Sequence, residues 1–141
     1  MRQLFTLGFS PCPNDAFIFC ALVNNLLDCG DVLFEPVIED VETLNRKALI
    51  GALDITKMSL HAFAFAAKNY FILESGSALG KNCGPLLISK KKYSTADVKK
   101  LSIAIPGKFT TADLLLNIFF PGAKNKTEMI FSEIENAVLN E

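Results

Sequence analysis

An α/β fold built on largely parallel sheets is what this chain of 141 residues predicts. Three observations predict it. Short apolar runs rich in Phe, Val, Ile and Thr alternate with longer stretches that carry apolar residues at helical spacing. Three joins between run and stretch carry helix-start residues: Ser10-Pro11-Cys12-Pro13-Asn14-Asp15, Thr56-Lys57-Met58-Ser59, and Lys108-Phe109-Thr110-Thr111-Ala112-Asp113. Finally, 50% of the residues are hydrophobic and 21% are charged, which is the balance of a chain that buries a core.

The elements follow in order. Residues 4–9 are apolar with Phe and Thr, and form a first strand. Pro11 and Pro13 stiffen the turn after it by fixing φ and removing two backbone donors. Asn14 or Asp15 then signals the start of a helix over 16–23. Residues 33–38 form a second strand, and Pro36 places it at an edge or a bulge. Asp40 caps a helix with Val41, Leu44, Ala48 and Leu49 on one face, and Gly51 ends it. Residues 53–57 form a third strand, followed by Ser59 as cap and an Ala/Phe-rich helix over 60–67. Residues 70–73 and 86–89 are expected to be a fourth and a fifth strand. The glycine-rich segment between them does not fit the G-x-x-x-x-G-K-[ST] phosphate loop and opens no helix.

Lys90-Lys91-Lys92 marks a change of composition. It divides the chain into a first lobe, residues 1–90, and the start of a second, residues 91–141. In the second part 96–100 make one or two helical turns, 101–105 a strand, 114–120 a helix capped at Thr110 or Thr111, 127–131 a strand and 132–139 a last helix. Thr110 and Asp113 match the S/T-x-x-D/E capping pattern.

Several function classes are excluded. Net charge is −1, and the one basic run lacks interleaved aromatics, so no nucleic-acid partner is expected. No apolar run reaches the roughly 18 residues of a membrane helix. Pro11, Pro13 and Asp15 interrupt the N-terminal segment before a secretory h-region forms. The four cysteines show no C-x-x-C pairing and read as reduced thiols, so a cytoplasmic location is expected. Cys12 lies near a helix start, but no basic residue stands beside it to make a reactive thiolate.

A stiff turn after a strand holds a helix N-terminus at the carboxyl end of the strand. That is where open α/β sheets bind ligands, and where free N–H groups and the helix dipole favour an anion. Each turn alone is no more than a capped helix start. Their recurrence makes the three turns candidate anion sites, with Ser10 and Asn14 in the first of them.

Leu7-Gly8-Phe9-Ser10-Pro11-Cys12-Pro13-Asn14-Asp15-Ala16-Phe17-Ile18-Phe19 resembles the opening of the 1,4-dihydroxy-6-naphthoate synthases of the futalosine route to menaquinone. Four further stretches are similar to the same family in the same order: residues 39–46, Thr56-Lys57-Met58-Ser59, residues 75–80 with Gly84-Pro85-Leu86, and Pro106-Gly107 with Thr110-Thr111-Ala112. Ala16, where the family more usually has Thr, and Phe109, at a position often more polar, depart from the pattern. The resemblance implies a two-lobed fold like the type II periplasmic binding proteins, with the second lobe incomplete in this chain. It implies a lyase that converts cyclic de-hypoxanthine futalosine to 1,4-dihydroxy-6-naphthoate without metal or organic cofactor. It places substrate contacts at the turns of Lys57-Met58-Ser59 and Thr111-Ala112, two of the three turns marked above, and a small-molecule carboxylate is the expected partner.

The family's base is a histidine in a Gly-[Leu/Ile]-Ile-His-Glu-like stretch that does not occur in residues 1–141. The single histidine, His61, stands in the Ala/Phe-rich helix and is expected to be structural, so no catalytic residue is assigned. An inactive fragment is expected, together with self-association through apolar faces of 114–120 and 134–139. A carboxylate-binding module on the same fold and a chorismate dehydratase of the same pathway are the alternatives. The Ser-Pro-Cys-Pro-Asn-Asp turn favours the synthase over the latter.

Overall fold

A computed structural model describes residues 2–140. The chain divides into two compact units, one reaching to Leu79 and the other starting at Gly80.

The first unit is a parallel sheet with the order β2-β1-β3, where β1 is Gln3–Phe9, β2 is Val32–Ile38 and β3 is Ile55–Thr56. Gln3 to Phe9 of β1 run residue for residue beside Val32 to Ile38 of β2. On its other side β1 pairs Leu7 with Ile55 and Gly8 with Thr56. Pro36 therefore lies on an edge strand, where its missing N–H costs the sheet nothing. Three helices follow the strands: α1 (Pro13–Val23), α2 (Val41–Leu49) and α3 (Leu60–Ala66). Leu7 and Phe9 of β1, Leu44 and Ala48 of α2, Leu53, and Ala62 and Ala66 of α3 form the buried apolar set. The Phe9 ring packs against Phe19 of α1, with centroids 5.0 Å apart.

Gly8 is where β1 lets its neighbours approach. A Cβ there would lie 2.7 Å from Leu53 Cδ1 and Thr56 Oγ1, and 3.0 Å from Leu44 Cδ2. Its carbonyl accepts the Lys57 N–H at 2.8 Å. Gly51, with φ +67°, takes the left-handed conformation that ends α2.

The second unit holds a two-stranded parallel sheet, β4 (Ile103–Ile105) beside β5 (Lys126–Glu128). α4 (Thr111–Phe119) connects them and α5 (Ile134–Asn140) follows. Val98, Ile103, Ile105 and Ala123 make its core, with Leu101, Leu116 and Phe120 packed on it. The chain is thus mixed α/β with parallel sheets, as the alternation of its elements implies.

Three expectations need correction. Residues 70–73 and 86–89 are not strands. They have the composition of strands but no ladder partner among the described residues, and a strand exists only through its partner. The Tyr70 hydroxyl instead donates to the Leu53 carbonyl and accepts the Leu53 N–H at 3.4 Å. Neither Asn14 nor Asp15 caps α1. Cys12 is the cap, its sulfur accepting the Asp15 N–H at 3.4 Å, and Pro13 stands inside the first turn, where a missing N–H does no harm. The strand expected over 127–131 is Lys126–Glu128, and after Met129 N–H reaches Ile105 O the chain turns into a short 3₁₀ segment.

Candidate functional site

Because β1 and β3 are parallel neighbours, the turns that follow them leave the same, carboxyl edge of the sheet. The turns at Ser10–Asp15 and Thr56–Ser59 are also joined directly. Asp15, 6% exposed, accepts on Oδ2 from the Ser10 N–H at 3.0 Å and from the Ser10 hydroxyl at 2.7 Å. Its Oδ1 lies 3.6 Å from Lys57 Nζ. One buried carboxylate thus folds the first turn onto itself and fixes the lysine of the second beside it.

Asp15 was read from the sequence only as a helix-start residue. In the structure Cys12 takes the cap, and the Asp15 carboxylate is buried against Ser10 and Lys57. Lys57 is half-buried, with its backbone N–H donating to Gly8 O and its ammonium beside Asp15. Met58 is half-buried beside it, and Asn14 is exposed on the first turn of α1.

Ser59 stands at the N-cap position of α3 as expected, but its side chain makes no capping hydrogen bond. Its backbone N–H donates to Asn45 Oδ1 at 2.9 Å, and its Oγ accepts from Asn45 Nδ2 at 3.3 Å. Asn45 is fully buried on α2, where Asp40 caps the helix by accepting the Glu42 and Thr43 N–H groups. Sequence reading missed Asn45. The available signal was a polar residue beside Leu44, at a helix position flanked by core residues.

Thr111 and Ala112 belong to the second unit, in the first turn of α4. Thr111 is exposed and Ala112 half-buried. Thr110 is the cap: its Oγ1 accepts the Asp113 N–H at 3.3 Å and donates to Gly107 O at 2.7 Å. Asp113, 4% exposed, is paired with Lys126 Nζ at 2.6 Å and with Asn117 Nδ2 at 2.9 Å, which ties α4 to β5. His61 lies on α3 with its ring edge-on to Phe65, centroids 5.5 Å apart. No group of three or more metal-ligating side chains converges among the described residues, and none of their helices is long and apolar enough to cross a membrane.

A family model described as menaquinone biosynthesis matches residues 5–141. The chain belongs to the menaquinone biosynthesis family. Among members of this kind, a 1,4-dihydroxy-6-naphtoate synthase of Thermus thermophilus is 48% identical over 120 residues, covering 85% of this chain and 43% of the relative. One of Streptomyces coelicolor is 32% identical over 137 residues, covering 94% of this chain and 48% of the relative. The X-ray crystal structure of protein AF1704 from Archaeoglobus fulgidus superimposes with a TM-score of 0.89 at 36% identity, over 97% of this chain and 50% of that one. The chain spans about half the length of the curated relatives it matches.

Proposed function

We propose that this chain carries carboxylate-binding turns of a 1,4-dihydroxy-6-naphthoate synthase, a lyase that acts on cyclic de-hypoxanthine futalosine. Its fold would be that of a two-lobed, periplasmic-binding-protein-like enzyme. The observation that carries this reading is the meeting of two strand-to-helix turns at Lys57 and Asp15, in a member of the menaquinone biosynthesis family. The naphthoate ring carries a carboxylate. Lys57 supplies a positive charge at the carboxyl edge of the first unit's sheet, and Ser10 and Ser59 belong to the same two turns. In the second unit the Thr111 and Ala112 N–H groups open α4 as a separate anion-favouring turn.

Release of the naphthoate requires a positioned base, worth roughly 10²–10⁴-fold in rate. His61 is engaged with Phe65 and lies outside the family's histidine motif, so no catalytic role is proposed for it. The reaction proposed takes no metal or organic cofactor.

The test is calorimetric titration with 1,4-dihydroxy-6-naphthoate beside a turnover assay on cyclic de-hypoxanthine futalosine, with the Thermus relative as positive control. Binding without turnover is the expected result. Absence of binding would overturn the site. Turnover matching the relative would place the base within residues 1–141, with His61 first in line.

A further inference from the structure

The buried amide of Asn45 has only one usable orientation. Ser59 N–H is a donor and must meet an oxygen, so Oδ1 faces it at 2.9 Å. Nδ2 is then left to face the Ser59 hydroxyl at 3.3 Å, and Glu42 Oε2 at 3.4 Å keeps it there by accepting from the same nitrogen. A hydroxyl oxygen that accepts from Asn45 keeps its own hydrogen to give. Among the described residues the Ser59 hydroxyl donates to nothing else. Its turn also holds Lys57, whose cation favours the same kind of ligand atom.

We propose that Asn45 is a positioning residue: it fixes the Ser59 hydroxyl as a donor and so selects a carboxylate oxygen at the Lys57–Ser59 turn. This rests on the carboxylate site proposed above. Asn45 touches no ligand. It acts by settling which way one proton points.

Asn45→Asp keeps the shape and turns one donor into an acceptor. Because it also adds a negative charge beside Glu42 Oε2, it is read against the double variant with Ser59→Ala, which carries the same charge without the hydroxyl. A carboxylate accepts from both the Ser59 N–H and the Ser59 hydroxyl, and so draws the hydroxyl hydrogen inward. Ser59→Ala removes that hydrogen altogether. In titrations of the 141-residue chain with 2-naphthoate, each variant is expected to weaken binding about tenfold, the scale of one hydrogen bond to a charged group. The double variant should bind no worse than Asn45→Asp alone, because both remove the same donor. Thermal unfolding is recorded alongside. A purely structural Asn45 would lower the unfolding midpoint in Asn45→Asp and leave the affinity of Ser59→Ala unchanged. Should Asn45→Asp fail to fold, Asn45→Ala takes its place: a loss of affinity that Ser59→Ala does not deepen supports the role, and unchanged affinity overturns it. Affinity that falls in Lys57→Ala but not in Ser59→Ala would overturn the role of Asn45 and leave the site standing. No binding of 2-naphthoate by the unaltered chain would overturn the site and this role together.

Discussion

Lys57 is not a bare charge waiting for an anion, because Asp15 already stands 3.6 Å from its ammonium. Removing the lysine would therefore do two things: withdraw a cation and leave a buried carboxylate facing an incoming carboxylate. Lys57→Ala is expected to weaken 1,4-dihydroxy-6-naphthoate binding by more than the loss of one charge-assisted contact, more than about tenfold. Adding Asp15→Asn to Lys57→Ala should restore part of that loss, as read by titration, since an amide keeps the Ser10 contact without the repulsion. A second residue-scale device is Asp54, whose Oδ2 accepts the Thr6 N–H at 2.8 Å and the Thr6 hydroxyl at 2.7 Å. The Thr6 backbone bond first, and its hydroxyl second, hold the Asp54 carboxyl below its ordinary value of 3.8. A depressed carboxyl adds stability that is complete above the ordinary value and is lost as pH falls through the folded one. The stability gap between the wild type and Asp54→Asn should therefore be constant near neutrality and close below pH 3.8 in urea unfolding series.

At the scale of elements, the tight place is Gly8, where β1, β3 and α2 come together. Gly8→Ala forces Leu53, Thr56 and Leu44 apart and is expected to lower unfolding free energy by about 1–3 kcal/mol, read from the urea midpoint. The β1-α1-β2-α2-β3-α3 series was legible in the sequence because each helix has a local start signal and each strand an apolar run. Asp40 and Thr110 cap as their residue types imply. Cys12 could not be read in that way, since a thiol is a weak acceptor and no usual cap. Residues 70–73 and 86–89 show the opposite failure: their β composition is real, but pairing depends on distant backbone that composition does not report. Of the candidate site, Lys57 and Ser59 were visible as turn residues. Asp15 and Asn45 were not, because their roles arise from burial between elements far apart in sequence.

Over the whole molecule, apolar surface is left facing water. Phe71 is 81% exposed, Leu79 94% and Leu86 85%, and Ile118, Phe119 and Leu139 on α4 and α5 are exposed as well. Monomeric proteins rarely leave so many large apolar side chains uncovered. The chain is expected to self-associate, giving a mass that rises with concentration in sedimentation equilibrium. A single monomeric mass across the range would refute this. Phe71→Glu combined with Leu86→Glu should shift the distribution back towards the monomer.

β1 is made before both of its neighbours, and it lies at the centre of its sheet. It has no first neighbour until Ile38 has been made and no second until Thr56 has been made. At about 5–20 residues per second, that is an interval of seconds. Through it Leu7 and Phe9, later among the best-buried residues, travel uncovered. A holdase that shields Gln3 to Phe9 during that interval protects the whole first unit, and slow codons between β1 and Thr56 lengthen the exposure.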